Sequence, residues 1–216
     1  MNSRGLTLTE EMKTFLLEGF HNYAAALVAL SEFRRQVNVK LETVLDEFSS
    51  QFAVLGLPTT GLRPVGSKLE DRELWERSAW IGLKKNYGAE LYSGCYVAWD
   101  FDLEEGEQLY VAVWIYPGRN RAERNRLFSA VQKLHALTSA TVLEQYSDGS
   151  TELSAYCDRD AFYNFDTAFR TLLEEWIALL SAVEGGLSQY LPAKATSVPE
   201  DAEESGAPTS DIVDLP

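Results

Sequence analysis

The stretch ELYSGCYVAWDFDLEEGEQLYVAVWIYP, Glu90 to Pro117, decides the architecture. Aromatic and β-branched residues alternate with others along LYSGCYVAWDFD and again along EQLYVAVWIYP, the period of two that a half-buried strand requires. Leu103 to Gly106 puts two acids and a glycine between the runs, so they should pair as an antiparallel hairpin. Upstream, AWIGLKKNY (Ala79 to Tyr87) reads as another strand of the same meander. Downstream, Pro117 and Gly118 close the run, and Asn120 is placed to cap a helix from about Arg121 to Leu137, with Leu127, Val131, Leu134 and Leu137 on one face. ATVLEQYS and TELSAYCD then flank Asp148 and Gly149, a strong hairpin signal. Asp158 or Asp160 caps a terminal helix in which Phe162, Phe165, Phe169, Leu172, Trp176, Leu179 and Val183 recur at alternating spacings of three and four. Gly185 and Gly186 end it.

The N-terminal third is a different kind of sequence. Thr7 or Thr9, followed by Glu10 and Glu11, sets a helix start near Leu8, with acids where the dipole favours them. Leu16, Phe20, Tyr23, Leu27, Leu30, Val37, Leu41, Val44 and Phe48 fall at heptad spacing, a seam that needs a partner. A helix running to about Leu55 would be roughly 70 Å long at 1.5 Å per residue, longer than a domain of this size is wide. It should either break near residues 34–40, where Arg34 occupies the seam and β-branched residues flank Asn38, or project and pair with another chain. Gly56, Pro58, Gly61, Pro64 and Gly66 form a loop after it, and Glu70 to Arg77 suggests a short helical turn.

The expected order is therefore α, βββ, α, ββ, α. The expected fold is α+β: a five-stranded, mainly antiparallel sheet with helices mainly on one face, and a long N-terminal helix packed on the C-terminal one or on a second chain. Residues 1–56 carry the long helix, 57–77 the loop, 78–191 the α+β domain. The last segment, 192–216, has four of the seven prolines, six acids and one lysine, and should be disordered. It accounts for −5 of the formal −14, leaving an acidic domain as well as an acidic tail.

That charge disfavours broad nucleic-acid binding and contact with anionic lipid unless a basic patch is set apart. No segment resembles a secretory leader or a membrane span, so a cytoplasmic protein is expected. Cys95 and Cys157, without CxxC spacing, read as small buried hydrophobes. The two histidines, His21 and His135, lie on different helices without ligand-type neighbours, and GxSxG, GxxxxGK and GxGxxG are absent. No cofactor and no catalytic residue is expected. Trp75, Trp80, Trp99, Trp114 and Trp176 suit packing better than ligand stacking, as the alternation of Trp99 with Val97 and Phe101 illustrates.

The best candidate polar site is PGRNRAERNR, which gathers Arg119, Arg121, Arg124 and Arg126, with Asn125, at a helix start that already favours an anion. Arginine contacts phosphate or carboxylate in two-point fashion, so the patch suits a nucleic-acid backbone, a nucleotide or an acidic partner, this chain's own tail included. The plainer alternative is a solvated helix start with Glu123 as local counter-charge. Asp100 and Asp102, two apart on a strand and hence on one face, are weak metal candidates. Solvated acids collect at hairpin ends, however, and no His or Lys completes a site. The αβββα order followed by a strand is similar to the core of restriction-endonuclease-like nucleases. Such an enzyme needs an acid and a lysine on the strand after the aspartate, where this chain has Ala112 and Trp114.

LYVAVWIYPGRNRAERNRLFSAVQKL resembles a small bacterial domain family of unknown function, often found beside restriction-endonuclease-like domains in genome-defence proteins. The resemblance rests on a strand, a basic turn, then Asn125 and Phe128 at the helix start, and it extends over about residues 75–185 to a final aromatic helix with Trp176. The family usually carries an acid where this chain has Ala112, so no ligand role transfers. What the resemblance implies is a binding or accessory domain associated with defence.

Together these features favour a non-enzymatic interaction or regulatory protein. Leu16, Phe20, Tyr23, Leu27, Leu30, Val37 and Leu41 are its helical interface candidates, toward a homodimer or a protein partner. A nucleic-acid or nucleotide accessory protein using the arginines 119–126, and an enzyme with an unrecognised site, are the alternatives.

Overall fold

A computed structural model of the chain describes residues 10–68, 78–88, 90–102, 106–118, 120–136, 139–157 and 164–189. The expected helical turn at 70–77, the caps Asp158 and Asp160, and the tail 192–216 lie outside these residues. The chain is α+β. Its sheet has six antiparallel strands in the order β1-β2-β3-β4-β6-β5: β1 Arg63–Gly66, β2 Ser78–Asn86, β3 Leu91–Asp102, β4 Gly106–Pro117, β5 Thr141–Gln145 and β6 Thr151–Cys157. Among the described residues it is accompanied by the α-helices α1 Glu10–Glu47, α2 Ser49–Val54, α3 Arg121–Leu134 and α4 Asp166–Ser181.

Five strands were expected, and β1 is the one the sequence concealed. Pro64 and Gly66 read as loop residues, but β1 is an edge strand, where a proline without an N–H costs no ladder bond. Pro64 lies opposite Leu83, and Gly66 opposite Ile81. At Gly66 (φ 144°) a side chain would strike the Trp80 carbonyl, so the close approach requires glycine. The other expected pairings form. Val97 faces Val111 in the long hairpin, and Leu143 faces Leu153 across the Asp148–Gly149 turn.

The long helix does not break between residues 34 and 40. Val37 and Leu41 are buried there, and packing outweighs the modest helix propensity of the β-branched residues. Glu32 also braces the turn, accepting hydrogen bonds from Arg35 (2.8 and 2.7 Å) and Gln36 (2.8 Å). The interruption comes at Phe48, between α1 and α2. Gly56 (φ 79°) then ends α2, with the Leu57 N–H donating to Phe52 O and the Gly56 N–H to Ala53 O.

Strand parity divides the sheet. Ala79, Ile81, Leu83, Cys95, Val97, Trp99, Leu109, Val111, Val113, Ile115 and Leu153 point to the helices and form the core with Val37, Leu41, Val44, Leu45, Phe169, Leu172, Leu173, Trp176 and Leu180. The second half of α1 crosses this face beside α4. Arg170 grips Glu47 with two hydrogen bonds of 2.8 Å, and Lys40 reaches Asp166 at 3.4 Å. The opposite parity, Trp80, Gly82, Lys84, Tyr92, Gly94, Tyr96, Tyr110, Ala112, Trp114, Tyr116, Glu152, Ser154 and Tyr156, lies on the other face.

Candidate functional site

The heptad seam of α1 changes environment partway along one continuous helix. Val37 is 3% exposed and Leu41 is fully buried, while Phe20 and Tyr23 on the same seam are 66% and 56% exposed. Leu27 and Leu30 are half-buried, and the Leu16 side chain lies outside the described residues. Phe33, whose ring centre is 5.3 Å from that of Trp99, marks where the domain begins to cover the helix. Residues 10–32 thus form an arm about 34 Å long at 1.5 Å per residue. Leu17 and Val28 add exposed apolar surface beside the seam.

The arginine cluster is not assembled as one anion site among the described residues. Asn120 caps α3 as expected, its side chain accepting from the Ala122 N–H at 2.9 Å. Arg121 and Arg126 are exposed, and Arg119 lies outside the described residues. Arg124 turns back toward the sheet, its Nη1 donating to Gly118 O (2.6 Å) and to the Tyr116 hydroxyl (3.0 Å), with the guanidinium 4.9 Å from the Tyr116 ring centre. Gly149 at the β5–β6 turn makes room for it, since a side chain there would collide with Arg124. Asn125 accepts from Gln145 at 3.2 Å, so it ties α3 to β5. These contacts explain the motif as a clamp between the end of β4, α3 and the last hairpin.

The face of the sheet opposite the described helices holds a constellation that the sequence did not announce. Ring centres of Trp80 and Tyr96, Tyr96 and Tyr110, and Tyr110 and Tyr156 stand 5.8, 5.9 and 6.0 Å apart, making an aromatic row across β2, β3, β4 and β6. Small residues create the space: a side chain at Gly82 would meet the Tyr96 Cβ, and one at Gly94 would meet the Trp114 ring. Ala112, opposite Tyr96 on β4, lets the tyrosine reach over β4 to β6. There the Tyr96 hydroxyl donates to Glu152 Oε1 at 2.8 Å, and the Tyr146 hydroxyl donates to the same oxygen at 2.9 Å.

Glu152 is 5% exposed. Burial pushes its carboxyl up to about 7, reinforced by the nearby charges of Glu144 and Asp148 and only partly offset by the hydrogen bonds from Tyr96 and Tyr146. The same burial, with the Glu152 charge beside them, raises both tyrosine hydroxyls. In the same cross-strand row, where Trp114 lies opposite Glu152, Lys84 Nζ lies 5.7 Å from the Trp114 ring centre and 4.3 Å from that of Tyr92.

Trp99 and Trp176 are buried, whereas Trp80 and Trp114 are half-buried on the face opposite the described helices; Trp75 lies outside the described residues. A signal for this face was available: Glu152 alternates with Thr151 and Leu153 on one strand, and glycine or alanine alternates with aromatics on β3 and β4. A second polar cluster ties β5 to α4: Glu175 accepts from Ser139 (2.8 Å) and Thr141 (3.0 Å), and His135 Nε2 lies 2.9 Å from the Thr141 hydroxyl. The Ser139 hydroxyl is bonded to the carboxylate and not to His135, while the Thr141 hydroxyl donates to Glu175 and also contacts the imidazole, so the cluster joins three elements through one carboxylate.

Among the described residues no three His, Cys, Asp or Glu are placed to hold a metal ion; the side chains of Asp100 and Asp102 lie outside them. Cys95 is buried and its thiol is pushed up to about 12 by that burial, which leaves it inert. No helix among the described residues is long and apolar enough to cross a membrane. No family model, no curated protein and no solved structure matches the chain.

Proposed function

We propose that this chain is a non-enzymatic interaction protein that pairs through the free arm of α1, in the first instance with the arm of a second copy. The observation that carries the proposal is the continuity of one heptad seam from a fully buried Leu41 to a 66% exposed Phe20. A helical arm with large apolar residues in water is marginal by itself, and association of two such seams removes that surface from solvent. Charge favours an antiparallel arrangement. Glu10, Glu11 and Glu18 precede the seam's midpoint, while Arg34 and Arg35 stand at the base of the arm, so reversing one arm sets acids against arginines. Arg124, engaged by Tyr116 and Gly118, supports a protein contact over a nucleic-acid one. An association with genome defence rests on the resemblance of residues 75–185 alone.

Sedimentation equilibrium of the full chain tests this proposal. A dimer that becomes a monomer in the Phe20→Glu/Tyr23→Glu variant, with an unchanged near-ultraviolet circular dichroism spectrum, supports it. A strict monomer at 100-fold the concentration range of ordinary micromolar dimers, or a dimer indifferent to both substitutions, overturns self-association.

A further inference from the structure

The cross-strand row Arg63, Lys84, Gly94, Trp114, Glu152, Glu144, on the face opposite the described helices, is polarised. Its acids stand on β6 and β5. At the other edge Arg63 of β1 lies directly opposite Lys84 of β2, a like-charge pair that costs stability unless an anion meets it. Neither cation forms an ion pair among the described residues, and Lys84 Nζ rests instead on the rings of Tyr92 and Trp114. Glu152 offers little relief, because three strand spacings of about 4.8 Å put it roughly 14 Å from Lys84, beyond a Debye length. One row further toward the same end of the strands, Tyr92 lies opposite Tyr116 with ring centres 6.1 Å apart. Arg124 closes that row against Tyr116; its Nη1 donates to a carbonyl and a hydroxyl, so its charge too has no carboxylate beside it. Three cations around two half-buried tyrosines thus gather at one corner of a chain whose formal charge is −14.

The course of α4 leads the C-terminal segment to this corner. Asp166 meets Lys40 and Arg170 meets Glu47, so α4 runs beside α1 in the same direction. Farther along, Leu173 and Trp176 line a small cavity with Leu62 and Ser93, the chain neighbours of Arg63 and Tyr92. Beyond Gln189, residues 192–216 hold six acids and one lysine, with Glu200, Asp201, Glu203 and Glu204 close together. At about 3.3 Å per residue the stretch from Gln189 to Glu203 reaches up to roughly 46 Å, far more than the thickness of one sheet. We propose that this acidic stretch of the chain's own C-terminal segment docks on the corner, its carboxylates against Arg63 and Lys84 and its backbone laid over Tyr92 and Tyr116. A free acidic protein or a nucleic acid meets the repulsion of the whole chain, whereas a tethered segment is held near the corner at an effective concentration of the order of millimolar. Carboxylates there turn the Arg63–Lys84 repulsion into charge-assisted hydrogen bonds.

The test digests the full chain with a glutamate-specific endoproteinase and follows cuts after Glu200, Glu203 and Glu204 by intact mass, beside a synthetic peptide of residues 192–216. Cleavage tracks the undocked population, so these cuts should be about fivefold slower in the full chain than in the peptide. Arg63→Glu/Lys84→Glu should bring them to the peptide's rate, whereas Lys133→Glu, the same kind of charge reversal in the last turn of α3, should leave them within about twofold of wild type. Circular dichroism checks each fold, and Arg63→Gln/Lys84→Gln, expected to speed the cuts at least about twofold, decides the matter if the reversal does not fold. Protection should survive tenfold dilution and the Phe20→Glu/Tyr23→Glu variant, which separates failure of this proposal from failure of the arm. Cleavage of the wild type at the peptide's rate, protection indifferent to Arg63 and Lys84, or protection lost on dilution, which would place the segment on a second copy, overturns the proposal.

Discussion

The two halves of α1 share one seam and meet different fates. From Phe33 onward the seam lies against β2, β3 and α4, and Val37, Leu41, Val44 and Leu45 are buried. Before it, Phe20 and Tyr23 face outward on an arm that the domain is too small to cover. The sheet repeats the contrast in its two faces, with mainly aliphatic residues under the described helices and aromatics with the paired Glu144 and Glu152 on the opposite side. Heptad spacing therefore specifies that a helix face is apolar, and leaves open what covers it. In the covered half the cover is the chain's own sheet.

Substitutions that treat the two halves alike should produce unlike results. Leu41→Ala should have the largest effect, a loss of about 2–5 kcal/mol in urea unfolding, because it opens a cavity where α1 meets the sheet. The uncovered face should show itself through pH. Glu152 has a folded pKa of about 7 against an ordinary value of 4.5, so the folded protein binds more protons between those values. Its contribution to stability is then fully present at acid pH and falls as pH rises from about 5 through 7. The total from this group is about 3 kcal/mol at most, at 1.36 kcal/mol per pKa unit. Urea midpoints at pH 5, 6, 7 and 8 should show this decline in the wild type and a flatter profile in Glu152→Gln.

Asn120→Ala should cost about 1 kcal/mol by removing the cap of α3, a moderate effect that places α3 with the covered half of the molecule. Phe20→Ala should be the mildest, within about 0.5 kcal/mol when unfolding is measured on dilute monomer, because the side chain is 66% exposed. A loss comparable to that of Leu41→Ala would mean that the arm is covered by its own chain, and the contrast between the two halves would collapse.

Much of the fold was legible because its signals are local. Alternation in LYVAVWIYP, the Asp148–Gly149 turn and the Asn120 cap each act within a few residues, and each forms where expected. β1 was hidden because an edge strand tolerates Pro64 and Gly66, a matter of position in the sheet that no local pattern carries. Local pattern left open whether α1 breaks near residues 34–40 or continues, for a related reason: burial of Val37 and Leu41 against distant strands outweighs weak local propensity. Among the interface candidates, Phe20 and Tyr23 are exposed, whereas Val37 and Leu41 are buried in the chain's own core. Arg124 illustrates the opposite case, since its partners Tyr116 and Gly118 and the space at Gly149 come together only in the fold.

What the sequence determined by itself is the set of elements and the apolar stripe on each, because periodicity and capping are properties of neighbours along the chain. Only the tertiary structure decided which stretch of the α1 seam the domain uses. It also decided that Tyr96, Tyr146 and Glu152, from three separate segments, converge on one oxygen. Those outcomes depend on strand register and on the finite width of the sheet, which sets how much of a 38-residue helix one domain can cover.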